Sequence, residues 1–276
     1  MKHNQHLSIT LATVVCTLAL TLFISALVSP LVNASYVHAD NEYETHLPLI
    51  MRGDEAPVQP SPTLTPPSEP SPTPPPSDEE IRYGEGTFYG ATGAGNCSFD
   101  PTPDNLMVAA LNETDYGNAD VCGAYVEATG PQGVVIVRIV DRCPECQPGD
   151  IDFSGEAFAR IANPVDGRVP ISWRIVSPEI DGPIVYRFKE GSNPYWTAVQ
   201  IRNHRNPIAT FEYLDENGQF QTVPRERYNY FVATSGMGPG PYTFRVTDRY
   251  GHTLTDNNIV FVENGEVAGS AQFPAP

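Results

Sequence analysis

Two carboxylates and a pair of cysteines stand within twelve residues of one another and are the best candidates for chemistry in this chain. Asp141 ends the apolar run Val134-Val135-Ile136-Val137-Arg138-Ile139-Val140, and Cys143-Pro144-Glu145-Cys146 follows as a tight turn. Asp152 then stands between Ile151 and Phe153. A carboxyl with apolar neighbours on both sides is expected to be partly buried, and desolvation disfavours its charged form. Asp152 therefore reads as a proton donor or a firm hydrogen-bond acceptor. The competing reading is a structural acid that orients the helix after it. Cys143 and Cys146 have the spacing of a thioredoxin-like site, which needs a helix directly after the second cysteine. Gln147-Pro148-Gly149 forbids one. The remaining readings are a zinc site built from Cys97, Cys122, Cys143 and Cys146, or two disulfides. An exported chain favours disulfides, and the four cysteines leave three pairings open.

Strands must position these groups. Residues 133–140, 171–176, 196–201 and 242–247 are rich in β-branched and aromatic residues and lie between Gly, Pro, Asn and Asp clusters, a strand signature. One helix is expected, with Ser154 as its N-cap, Glu156 in its first turn, an apolar set from Ala157 to Ala162, and a stop at Asn163-Pro164. Ser177-Pro178-Glu179 reads as a join between two β domains, 81–177 and 178–276, each long enough for its own core.

The first 39 residues read as a signal peptide: Lys2 is followed by an apolar run, then small-residue cleavage sites at Ala34 and Ala39. The run is also long enough for an uncleaved anchor. Cys16 falls within it and reads as a packing residue. Residues 40–80 form a linker whose core, 56–77, is dominated by Pro, Ser and Thr. Such a segment is an extended spacer that reaches roughly 60 Å over twenty residues. The short apolar patch from Leu47 to Met51 has no functional account. Export and extracellular location follow from the leader.

The net charge of −17, with no basic block, argues against nucleic acid as a partner, because phosphate neutralisation needs clustered Lys and Arg. It also disfavours anionic polymers such as pectate. Residues 81–177 carry six Lys/Arg against thirteen Asp/Glu, whereas residues 180–276 carry eight against ten. A neutral glycan suits the second half. His204 and His252 read as structural, and no metal, cofactor or protein partner is expected; the chain is expected to be a monomer.

The order of features in 81–177 resembles the first domain of bacterial expansins. Thr87-Phe88-Tyr89-Gly90 is followed by Gly95-Asn96-Cys97, the segment from Met107 to Asn112, Cys122-Gly123, Asp141, and Ile151-Asp152-Phe153-Ser154. The resemblance implies a six-stranded double-psi β-barrel, a fold shared with an endoglucanase family and with lytic transglycosylases. It implies that Thr87, Asp141 and Asp152 line a groove, with Tyr89 beside them, and that Asp152 matches the acid needed for wall loosening. In the related endoglucanases a catalytic base follows the opening strand. Here Gly90-Ala91-Thr92 offers no carboxylate, and Glu85 is the nearest candidate. An inverting glycosidase needs two carboxyl groups about 6.5–9.5 Å apart, so weak or absent hydrolysis is expected. An aromatic that many bacterial expansins carry two positions after the strand-end Asp is Cys143 here, so the resemblance implies one sugar contact fewer in the groove. The Cys-Pro-Glu-Cys form resembles disulfide-bearing members and implies the pairs Cys97–Cys122 and Cys143–Cys146.

The second half strengthens the resemblance. Lys189-Glu190-Gly191-Ser192, Trp196, Gln200-Ile201-Arg202-Asn203-His204 and Tyr228-Asn229-Tyr230-Phe231-Val232 are similar to the bacterial expansin pattern. The resemblance implies an immunoglobulin-like β-sandwich that binds cellulose through Tyr195, Trp196 and Tyr228 in line, with Lys189 beside them. The physics agrees: flat pyranose faces stack on aromatic rings, and a row of exposed rings holds a straight glucan chain. Consecutive strand residues point to opposite faces, so Tyr195 and Trp196 share a face only if a loop carries them; Asn193-Pro194 fits that. Otherwise one of the two belongs to the sandwich core. The function expected is cellulose or β-glucan binding with loosening of plant-type wall and no hydrolysis. The alternatives are a glycan-cleaving enzyme on the same barrel, and a plain cellulose-targeting module with a vestigial barrel.

Overall fold

The structure is a computed structural model that describes residues 80–276; the leader, Cys16, the apolar patch from Leu47 to Met51 and the Pro-rich spacer lie outside the described residues. It is mainly β, and it begins with a closed barrel. Six strands build that barrel: β1 (Arg82–Tyr89), β2 (Val108–Asn112), β3 (Tyr125–Gly130), β4 (Gly133–Cys143), β5 (Ile151–Ser154) and β6 (Val169–Val176). Their order around the barrel is β1-β5-β2-β4-β3-β6. The pairs β1–β5 and β2–β4 are parallel and the rest antiparallel. Parallel neighbours that are not consecutive in the chain give the crossed, double-psi form.

Alternation along the strands fills the interior. Val135, Val137 and Ile139 of β4, Ile151 and Phe153 of β5, and Ile171, Trp173 and Ile175 of β6 enter one buried cluster. The Trp173 indole N–H donates to the Gly149 carbonyl at 2.7 Å, so the buried polar end of this ring is satisfied. Helix α1 (Glu113–Tyr116) follows β2, and helix α2 (Gly155–Ile161) follows β5. The Ser154 side chain accepts from the Ala157 N–H and caps α2, as its position before the apolar set required.

Eight further strands form a sandwich: β7 (Val185–Phe188), β8 (Thr197–Arg202), β9 (Ile208–Leu214), β10 (Phe220–Thr222), β11 (Phe231–Ala233), β12 (Tyr242–Asp248), β13 (Thr253–Ile259) and β14 (Glu266–Ala268). One sheet runs β11-β8-β7-β14 and the other β10-β9-β12-β13. All their pairs are antiparallel. Their facing sides share a core rich in aromatics, in which Tyr186 meets Phe244 at 5.1 Å and Phe211 meets Phe231 at 5.3 Å between centroids.

Barrel and sandwich meet through polar contacts as well as packing. Ser177 is tied down by the Arg205 guanidinium, which reaches its hydroxyl at 2.8 Å and its carbonyl at 2.6 Å. Phe99 lies between Arg138 of the barrel and Arg202 of the sandwich. His204 is fully buried, with Nδ1 on the Asn206 carbonyl at 2.8 Å.

Candidate functional site

The barrel strands bring Thr87, Asp152 and Asp141 into one row. Thr87 on β1 is the register partner of Asp152 on β5. Asp152 faces Ala110 on β2, and Ala110 faces Asp141 on β4. In-register neighbours project from the same face of a sheet. Because Ile151 and Phe153 point inward, Asp152 points out. Plain alternation from Val135, Val137 and Ile139 would turn Asp141 inward as well. A break in register between Ala109 and Ala110 passes over Val140 and pairs Ala110 with Asp141. This bulge re-aims the side chain and delivers the carboxylate to the outer face.

Each acid in the row is held differently. The Thr87 hydroxyl donates to Asp152 Oδ1 at 2.6 Å. Burial pushes the Asp152 carboxyl above the usual range; the Thr87 bond opposes this, and Glu145 on the disulfide-closed turn adds to the rise. Asp141 Oδ1 accepts two backbone N–H groups, from Asn96 at 2.6 Å and from Arg142 at 2.8 Å. A Cβ on Gly95 would overlap the Asp141 carboxyl carbon, so the loop at 95–97 closes over this acid only with glycine there. Tyr89 lies two residues beyond Thr87. Its hydroxyl is buried and has no hydrogen-bond partner among the described residues. Burial, then the charges of Asp141 and Asp152, push its phenol well up.

Glu85 does not join this group as a free base. Its carboxylate is paired with Arg168 at 2.6 Å. Cys97 is bonded to Cys122 and Cys143 to Cys146, with Cα atoms 5.5 and 5.4 Å apart. The second bond closes the turn that presents Glu145. Among the described residues no cluster of His, Cys, Asp and Glu has the arrangement of a metal site.

A second aromatic group of the sandwich, outside its core, gathers near the start of β8. This strand begins at Thr197, so Tyr195 and Trp196 lie in the loop before it and escape strand alternation. Asn193 shapes that loop. Its Oδ1 accepts the N–H groups of Tyr195 at 2.9 Å and Trp196 at 3.2 Å, and its backbone bridges to Trp196. Gly236, at φ +76°, packs so closely on Pro194 and Tyr195 that a Cβ there would overlap backbone. Tyr195 is 82 % exposed. Trp196 and Tyr228 are partly buried against Ala198, Tyr230 and Val232. Tyr230, not among the residues expected at this site, lies beneath: its ring is 5.9 Å from that of Tyr228, and Lys189 Nζ stands 5.9 Å from its centroid.

Known proteins resemble this chain over most of the described region. Residues 108–173 match the lytic transglycolase family. Expansin-YoaJ of Bacillus subtilis is 35 % identical over 206 residues, which is 71 % of this chain and 88 % of that protein. Expansin-like protein 2 of Dictyostelium discoideum is 30 % identical over 178 residues, 60 % of this chain and 43 % of that one. The crystal structure of apo Clavibacter michiganensis expansin superposes with a TM-score of 0.67 at 30 % identity and covers 71 % of this chain and all of its own. A mutant of that expansin, solved in complex with cellohexaose, superposes equally well.

Proposed function

This chain belongs to the bacterial expansin family, and from that premise we propose that it is a secreted protein that binds cellulose or a related neutral β-glucan and loosens plant-type wall without hydrolysis. The observation that carries this reading is the pairing of two surfaces on one chain. One is the row Thr87, Asp152, Ala110, Asp141, in which burial raises the Asp152 carboxyl. The other is the aromatic group of Trp196 and Tyr228 over Tyr230, with the exposed Tyr195 in the loop beside Trp196.

Sugar rings stack on the aromatic group, and Lys189 offers a donor at its edge. Asp152 and Thr87 form a donor–acceptor pair for the hydroxyls of a glucan chain laid along the barrel. When protonated, Asp152 donates to a glycan oxygen; when ionised, it accepts from a hydroxyl. Either exchange competes with the hydrogen bonds that hold one glucan chain to the next, so chains separate without covalent change. Hydrolysis needs a base to activate water. Glu85 is bound to Arg168 and Asp141 Oδ1 already accepts two amides, which favours the non-hydrolytic reading. The weakly acidic sandwich suits a neutral polymer.

A second reading is glycan cleavage that needs no activated water, as in a transglycosylase. The match of residues 108–173 to the lytic transglycolase family and the raised pKa of Asp152 favour it. Two measurements separate the readings. In pull-down, the protein is retained by microcrystalline cellulose and passes through pectate, and Trp196→Ala loses retention. In product analysis, peptidoglycan and cellulose release no anhydro sugars or reducing ends. Retention on pectate, or product release that Asp152→Asn abolishes, contradicts the proposal.

A further inference from the structure

The loop that carries Tyr228 is held by the barrel. Asn118 Nδ2 donates to the Arg225 carbonyl at 2.9 Å, and Arg225 Nη1 donates to the Ala119 carbonyl at 2.9 Å. Asn96 Nδ2 and the Tyr116 hydroxyl both donate to the Arg227 carbonyl, each at 2.8 Å. Asn229 Nδ2 donates to the Cys97 carbonyl at 3.3 Å. The Arg227 guanidinium pairs with Glu113, whose other oxygen takes Arg142 Nη1 at 2.6 Å. Tyr228 thus stands between two residues, Arg227 and Asn229, that are each anchored across the junction.

The same anchors reach the row of acids. The backbone N–H of Asn96 donates to Asp141, while its side chain holds the carbonyl directly before Tyr228. Glu113 holds Arg142, the residue after Asp141, and Arg227, the residue before Tyr228. Exposed ion pairs such as those of Glu113 add little to global stability. Their geometry has a different consequence: two contact surfaces fixed relative to each other engage one extended ligand without the ordering cost that independent surfaces incur.

We propose that Asn96 and Glu113 are positioning residues that lock the Tyr228 ring of the sandwich to Asp141 of the barrel, so that one glucan chain meets both in a fixed register. The inference rests on the functional reading above, in which both groups contact glucan. The first test is a double-mutant cycle read by calorimetry with cellohexaose. Asp141→Asn weakens binding several-fold in the native background and has no further effect in Asn96→Ala. Additive effects overturn the proposal. The second test needs no ligand. The Asn229 amide, bonded to the Glu226 carbonyl at 2.9 Å, loses about tenfold or more of its hydrogen-exchange protection in Asn96→Ala and in Glu113→Gln, as local opening requires. The Ile139 amide, bonded to Ala124 within the barrel, keeps its protection and shows that the variants are folded. Unchanged protection at Asn229 overturns the proposal. If the native protein fails to bind cellohexaose, the functional reading fails on its own, and hydrogen exchange still decides whether the barrel holds the loop.

Discussion

Truncating Tyr195 separates binding from folding. Its side chain is 82 % exposed, and the loop that presents it is shaped by backbone bonds to Asn193 rather than by the ring. Tyr195→Ala therefore changes folding stability by no more than about 0.5 kcal/mol, as for other surface substitutions. Binding is affected far more. Covering an exposed ring with a sugar face removes apolar area worth about 1.5–3 kcal/mol. At 1.4 kcal/mol per tenfold, cellohexaose affinity falls roughly 10- to 100-fold. Tyr230→Ala behaves in the opposite way. That ring is 6 % exposed beneath Trp196 and Tyr228, so its loss costs the fold about 3–5 kcal/mol, in the range of other buried aromatics. Calorimetry with cellohexaose and thermal unfolding of both variants read the two effects. A Tyr195→Ala protein that binds within twofold of native refutes the aromatic platform. A Tyr195→Ala protein whose melting temperature falls in step with its affinity refutes the separation.

Other perturbations follow from the same geometry. Gly95→Ala drives a methyl into the Asp141 carboxyl; the loop must lift, and loss of the Asn96 amide bond to Asp141 is read as a chemical-shift change at both residues. His204 is buried, and desolvation holds its imidazole down from 6.5 to about 4. The unfolded chain then binds a proton that the folded one refuses, so stability is fully present above pH 6.5 and falls as pH drops toward 4, by up to about 3 kcal/mol. Denaturant unfolding across this window checks the sign, and a flat profile contradicts it. The Cys143–Cys146 bond spans a separation of 3 residues and the Cys97–Cys122 bond one of 25. Loop-closure entropy assigns them about 2 and about 3.5 kcal/mol. Replacing the second pair by serine therefore lowers the unfolding free energy more, and the reverse order contradicts that assignment.

Much of the barrel was legible in the chain because its signals are local. The alternation of Val135, Val137 and Ile139 defined β4, and Ser154 before an apolar set defined α2. Asp152 stood out because its apolar neighbours Ile151 and Phe153 imply a partly buried carboxyl. What remained hidden is long-range. The partnership of Thr87 with Asp152 joins parallel strands 65 residues apart, and nothing in either segment names the other. The bulge that turns Asp141 outward leaves no mark in the run from Val134 to Val140. The ion pair of Glu85 with Arg168 joins residues 83 positions apart, and neither segment signals it. Alternation argued against Tyr195 and Trp196 sharing a face, and the late start of β8 at Thr197 removes the objection. Helix α1 was missed because its four residues are too few for a periodic signal. Its cap, the Asn112 side chain accepting from the Asp115 N–H, was the local clue.

The central claim is loosening without cutting, and its most direct measurement is the extension of heat-inactivated plant wall strips under constant load, with soluble sugar ends assayed in the same bath. The account predicts that the native protein extends the strips while sugar ends stay at the level of a buffer control, and that Asp152→Asn abolishes extension while cellulose retention persists. Extension that rises in proportion to released ends, or an Asp152→Asn protein that extends walls like the native one, contradicts it.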